Sequence, residues 1–429
     1  MKPATFESLL GRRPAEDEVL VTPQATRTAG ELAARASALR GDRAGASRAR
    51  VARSDDTEDF LASLLAFDGD ARALLCLPQG EPVPVAWNAG LECQLDSLPA
   101  TTTQTHWVLS TSGTTGTPKL VAHTLESLTS TTKFDMRTGA GMRWGLVYDP
   151  ARFAGLQLVL QALLGGGVLV VPPQEALASQ IAFMAKHGVN SLSATPTLWR
   201  KILMTVGSER LPLMQATLGG EIADQPILDA IRHRFPSARV VHIYASTEAG
   251  VGFSVKDGQA GFPLRYLEPG HLAGIELRVG EDGRLFIKKA AAARLIWDGA
   301  SRVASEGGFV DSGDVVRIVG ERVMFLGRSS GSINVGGRKV MPETVEGVLL
   351  QHPAIAAAKV YAKRSSVMGN LVAADVCLRS DAAVPIDTAD LRAELQASCR
   401  RRLANWEVPA FVRFVEDIAV TTNGKVRRS

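Results

Sequence analysis

What the chain lacks narrows its class before any motif is read. Its 429 residues hold four cysteines, Cys76, Cys93, Cys377 and Cys399, without a C-x-x-C pair or disulfide-like spacing. That fits a reducing compartment and argues against a zinc site. Neither sign of charge dominates: 48 basic side chains face 44 acidic ones, a net +4 too slight to imply a nucleic-acid partner. The most basic stretch, residues 40–53, interleaves no aromatics for base stacking, so it is expected to be a solvated helix end and loop. Long hydrophobic runs are missing too. The most apolar segment, residues 156–171, is broken by Gln157, Gln161 and three glycines, too short and too interrupted to cross a bilayer. Residues 1–12 contain no apolar core of the kind a signal peptide needs. The expectation is a cytoplasmic protein with no integral membrane association. The length is about three times the usual domain size, which suggests two or three domains.

What is present reads first as a layered α/β body. Thr28-Ala29-Gly30-Glu31 forms a capping box ahead of an Ala-rich helix carrying Leu32 and Leu39. Residues 73–77 and 106–110 read as buried strands, 156–164 as a helix and 167–171 as another buried strand. Such alternation predicts a largely parallel sheet covered by helices. From about Ile275 the period changes. Residues 275–279 and 284–287 alternate around Asp282-Gly283, a hairpin signal, and residues 315–319 and 322–326 do so around Gly320-Glu321. Residues 327–332 are small and polar, as a hinge would be. The last hundred or so residues form a separate α+β unit. There a helix over 391–403 places Leu391, Leu395, Cys399 and Leu403 on one face, with Asp387 or Thr388 as its cap.

The sharpest local signal is Ser110-Thr111-Ser112-Gly113-Thr114-Thr115-Gly116-Thr117-Pro118-Lys119, directly after apolar residues 106–109. Glycines allow several N–H groups to point into one concavity, hydroxyls add donors, and Lys119 adds positive charge; such a loop suits polyphosphate. It is not a Walker A loop, because Pro118 precedes the lysine and Leu120 follows it. By composition alone it also reads as a solvated Ser/Thr/Gly linker. The loop resembles the phosphate loop of the adenylate-forming superfamily, which includes acyl- and aryl-CoA synthetases, peptide-synthetase adenylation domains and firefly luciferase.

Five further segments, in the same order, resemble signatures of that superfamily. Leu218-Gly219-Gly220-Glu221 is similar to the turn against which adenine packs. Tyr244-Ala245-Ser246-Thr247-Glu248 resembles Tyr-Gly-Ser-Thr-Glu, where the ring offers a stacking face for adenine. By the resemblance, the Thr247 hydroxyl meets the α-phosphate and Glu248 holds magnesium, a hard cation that prefers oxygen. Asp311-Ser312-Gly313-Asp314 resembles Thr-Gly-Asp, which implies that Asp314 accepts from both ribose hydroxyls and that Arg328 contacts ribose or phosphate. Residues 333–340, with Gly336 and Gly337, resemble the loop that lines the pantetheine tunnel. Asn423-Gly424-Lys425-Val426 resembles Gly-Lys-(Ile/Val), making Lys425 the mobile lysine that bridges substrate carboxylate and phosphate. The likeness covers residues 18–428.

The fold it implies is a large N-terminal layered α/β domain, residues 1–328, with a shortened N-terminal subdomain, and a small mobile α+β domain, residues 329–429. The activity it implies is ATP- and Mg2+-dependent activation of a small aryl or short-to-medium acyl acid as acyl-AMP. Coenzyme A then takes the acyl group, or alternatively a carrier-protein phosphopantetheine; a non-catalytic nucleotide-binding scaffold is the reading from another class. No carrier domain is expected within the chain, which stops at Ser429. Lys119, Thr247, Glu248 and Lys425 are the expected catalytic groups. Rotation about Ser329-Ser330 would exchange Lys425 for the Gly336-Gly337 loop. Three departures stand out: Ser330 where relatives carry Asp or Lys, Asn334 for a frequent lysine, and Arg152 where relatives often place a histidine. Arg152 reads equally well as a partner for a substrate carboxylate or hydroxyl and as a solvent-facing side chain. Asp149 is similar to the amino-group aspartate of amino-acid adenylation domains, though the spacing to Gly166 fits the CoA-synthetase pattern better. Ala245 adds a methyl group at the carboxylate end of the pocket, which favours a flat aryl acid or modest chain.

Overall fold

The computed structural model describes residues 4–41, 49–84, 87, 104–111, 119–247, 250–289, 294–297, 308–365, 369–379, 388–419 and 425–426. The apolar runs form the expected buried strands, Ala73–Leu77 and Val168–Val170, because parallel strands covered on both faces have no solvent side to require polar alternation. An eight-stranded sheet runs in the order Gly250–Val255, Arg239–Ser246, Gln215–Gly219, Ser191–Ala194, Arg143–Gly145, Val168–Val170, Glu18–Val21, Thr26–Thr28. Its inner strands are parallel and its two edge strands antiparallel. A second sheet of five strands is ordered Arg294–Trp297, Lys119–His123, His106–Thr111, Ala73–Leu77, Ala49–Arg53.

One apolar cluster joins side chains of both sheets to the helices Thr57–Phe67 and Phe153–Leu164. Both helices are hydrophobic nearly all round because they lie inside the body. Each fully buried Leu or Phe there contributes about 1.5–3 kcal/mol. The Thr28–Glu31 capping box is formed: Thr28 N–H donates to Glu31 Oε2 at 2.8 Å and Glu31 N–H to Thr28 Oγ1 at 3.2 Å. Asp68 ties the N-terminal helix to the second sheet, accepting from Phe6 N–H at 2.7 Å and from Trp107 Nε1–H at 2.8 Å.

The basic stretch differs from expectation. Residues 49–53 are a strand paired in parallel with Ala73–Leu77, and the Arg50 guanidinium lies 5.3 Å from the Phe67 ring centre. Ala52 is buried in the main apolar cluster while Ala49 and Val51 pack from the other face against a smaller one, so the small residues are covered on both faces with the arginines among them.

The two predicted hairpins belong to a third, antiparallel sheet, whose order is Phe262–Pro263, Arg322–Arg328, Val310–Val319, Arg284–Lys289, Ile275–Val279. The second hairpin is longer than its alternation suggested: its first strand reaches back to Val310 and so includes residues 311–314. After Arg328 the chain makes one short turn, Ser329–Gly331, and enters the tail unit. This comprises the hairpin Ile333–Val335/Arg338–Val340, a sheet ordered Ile355–Ser365, Gly369–Leu378, Phe411–Phe414, and the helix Thr388–Arg402. Leu391, Leu395 and Cys399 are the buried face of that helix, as their spacing predicted, while Leu403 lies just past its end and is half-buried; Asp387 lies outside the described residues. No helix among the described residues is long and apolar enough to cross a membrane.

Candidate active site

The site begins where antiparallel strands end beside one another. Strand Arg239–Ser246 shifts register against its edge neighbour between Tyr244 and Ala245, which presents the Tyr244 hydroxyl to the third sheet. That hydroxyl donates to Asp314 Oδ2 at 2.6 Å. The Tyr244 ring stacks on Phe253 and Phe325, with centroids 5.2 Å and 5.3 Å away. Burial, reinforced by the adjacent Asp314 carboxylate, pushes the phenol well above its ordinary pKa, so it stays a proton donor. Asp314 is held from its other side by Arg328, whose Nε–H donates to Oδ1 at 3.2 Å while Nη2 donates to the Ser312 carbonyl at 3.1 Å. Gly313 occupies φ +75°, a conformation that suits glycine and turns the strand between Ser312 and Asp314.

Strand Gln215–Gly219 is followed by Gly220, at φ +80°. The absence of a side chain is used here: a Cβ on Gly220 would lie 3.1 Å from Lys425 Cε. The lysine from the chain's tail thus lies against the glycine turn of the body. Beside it, Val426 N–H donates to Glu221 Oε1 at 2.9 Å, and Glu221 Oε2 accepts from Thr197 N–H at 3.0 Å. A second bridge between tail and body joins Lys201 to Asp417 at 2.9 Å.

Gly219, Gly220, Glu221, Tyr244, Ala245, Ser246, Thr247, Asp314, Arg328 and Lys425 all line one cavity of about 2190 Å³. A single small ligand commonly occupies about 300–1,000 Å³, so the space suits two reactants together. Gly336 and Gly337 are not part of it. They form the exposed turn of the tail hairpin, at φ +55° and +85°, with Gly337 N–H donating to Asn334 Oδ1 at 2.9 Å. Thr111 and Lys119 end and begin paired antiparallel strands. Ser112, Gly113, Thr114, Thr115, Gly116 and Glu248 lie outside the described residues.

Arg152 does not face solvent. Its side chain is 12% exposed, paired with Glu81, and Nη1 donates to the Ser110 carbonyl at 2.9 Å. It braces the strand His106–Thr111. Asp149 is also occupied, accepting from Ser54 Oγ at 2.8 Å, Gln79 N–H at 3.0 Å and Ala151 N–H at 2.9 Å, an arrangement that leaves it a structural tie. Sequence reasoning missed His123. Its Nε2–H donates to the Thr247 carbonyl at 2.8 Å, its Nδ1 lies 3.2 Å from Ser127 Oγ, and its ring packs on Phe153. Nothing in the local pattern distinguishes His123 from an ordinary strand-end histidine.

The model of the AMP-binding enzyme family matches residues 14–297, and that of the AMP-binding enzyme C-terminal domain matches residues 344–425. A 2-succinylbenzoate–CoA ligase of Geobacillus kaustophilus is 27% identical over 399 residues, which cover 89% of this chain and 77% of that one. A benzoate–CoA ligase of Thauera aromatica is 25% identical over 350 residues, covering 75% of this chain and 64% of the relative. The crystal structure of a benzoate CoA ligase from Burkholderia xenovorans LB400 shares the fold, with a TM-score of 0.74 at 20% identity and 99% of both chains covered. Two successive family matches and a tail lysine lying against the body's glycine turn agree: the chain belongs to the AMP-binding enzyme family.

Proposed function

We propose that the protein is an AMP-forming acid–thiol ligase that activates an aryl acid and delivers it to coenzyme A. The observation that carries this reading is the convergence of Lys425 from the tail with the Gly219-Gly220 turn, Tyr244 and Asp314 around one cavity. In the first step a carboxylate oxygen attacks the α-phosphorus of ATP and the bond to pyrophosphate breaks. Both reactants are anions, so placed positive charge and N–H donors lower the barrier. Lys425 and Lys119 supply the charge, Thr247 and the phosphate loop supply donors, and Asp314 grips the ribose. Glu248 would hold a magnesium ion, which would supply positive charge to the polyphosphate. One carboxylate beside substrate phosphates suits that ion, which rarely uses an all-protein cage. In the second step the thiol sulfur attacks the acyl carbonyl, AMP leaves with its phosphate oxygen, and the thiol proton passes to solvent.

The aryl preference rests on Ala245 and on the aryl–CoA ligases among the relatives. Delivery to a carrier-protein phosphopantetheine uses the same thiol arm and is the second reading. A cytoplasmic location is part of the proposal, in keeping with the sparse, buried thiols Cys76, Cys377 and Cys399. The test is pyrophosphate release over benzoate, 2-succinylbenzoate, fatty, hydroxy and amino acids, with coenzyme A and with a holo carrier protein. Aryl-acid-dependent release is expected. Silence across the panel would leave only the nucleotide-binding scaffold.

A further inference from the structure

We propose that Glu221 is the positioning residue that seats Lys425 for adenylation. The idea rests on the ligase reading and deepens it. Glu221 follows the glycine turn and was expected to serve the nucleotide; the structure gives it two backbone partners instead. Oε2 accepts from Thr197 N–H at 3.0 Å, in the first turn of the helix Pro196–Met204. In that turn Pro196 has no N–H to satisfy and Leu198 N–H is taken by Thr195 Oγ1 at 3.1 Å, so Glu221 completes the cap. The helix N-terminus favours the negative charge. The side chain is thereby fixed from the body side, and Oε1 is left to accept from Val426 N–H at 2.9 Å.

This makes a preformed socket. Docking the tail orders no further side chain on the body, and the bond formed is charge-assisted. It lies one residue from Lys425, so it determines where that lysine enters the cavity. The other bridge, Lys201 to Asp417, is a weaker guide: the Asp417 side chain is 70% exposed, and exposed pairs couple little. Glu221 therefore acts on the step that uses Lys425. It has no role in the step that needs the tail withdrawn.

The test compares wild type with Glu221→Gln and Val426→Pro. Glutamine offers one acceptor oxygen for two N–H groups, and proline deletes the tail's donor while leaving the helix cap intact. The first half-reaction is read as benzoate-dependent AMP formation. The second is read as benzoyl-CoA formation from supplied benzoyl-AMP. Hydrogen exchange at the Val426 amide, in wild type and Glu221→Gln, needs no acid. Both variants are expected to lose roughly ten- to a hundredfold in kcat of the first step with KM for ATP little changed, to keep the second step, and to be non-additive in the double variant. Exchange at Val426 should quicken about tenfold or more in Glu221→Gln. Equal losses in both steps, or unchanged exchange, overturn the proposal. Failure to turn over benzoate would count against the aryl reading alone, and the exchange measurement would then decide the seat.

Discussion

At the scale of single residues, the chemistry is concentrated in charges placed by backbone. Lys425 reaches the glycine turn because Gly220 has no Cβ, so the lysine's contribution is one of position. Replacing it by alanine should cut acyl-AMP formation by roughly 10²–10³, the usual cost of losing one well-placed donor to developing charge. Thioester formation from supplied acyl-AMP should be largely spared, because the proposed rotation turns the tail away in that step. Comparable loss in single-turnover measurements of both steps would refute the assigned role. Arg152 teaches the opposite lesson: a cation at the pocket's edge is already engaged by Glu81 and Ser110, and its charge is largely answered within the protein.

At the scale of elements, Asp68 joins a helix to a strand. Two N–H groups share its carboxylate, and burial raises its pKa against the pull of those donors. A carboxyl whose folded pKa exceeds its unfolded value binds protons more readily when folded, so its contribution to stability declines as pH rises through the window above 3.8. Asp68→Asn should flatten that slope. It should also cost about 1–3 kcal/mol at neutral pH, because the two donors meet different carboxylate oxygens and one of them would face the amide NH2 instead. Urea midpoints across acidic pH would show both effects, and an unaltered slope would exclude Asp68 as its source. Hairpins, capping box and buried strands were legible in the sequence because each rests on local chemistry: Asp282-Gly283 for a turn, Thr28 with Glu31 for a cap, unbroken apolar runs for doubly covered strands. The strand at residues 49–53 was not, since its partner Ala73–Leu77 is distant in sequence and its arginines read as a solvated charge run. The candidate site was legible as a set of motifs. The contacts made by His123 and Glu221 were not, because each depends on residues more than a hundred positions away, Thr247 and Val426.

At the scale of the whole molecule, the structure holds the tail against the body with Lys425 in the cavity and the Gly336-Gly337 turn outside it. Both glycines can join the site only if the tail turns about the segment after Arg328. Ser329→Pro tests this. Arg328 has ψ +133°, which a following proline accepts, and the ring fixes φ near −65° so that the pose is kept and rotation hindered. Acyl-AMP formation should survive, while thiol transfer should slow by roughly tenfold or more if domain rotation gates it. Equal rates for both steps would place the pivot elsewhere. The strand leading into that pivot has a further consequence. Asp314 is clasped by Arg328, the last residue of the strand before the turn. On the proposed ribose role of Asp314, the contact that would meet a nucleotide is therefore made by the last residue before the turn into the tail.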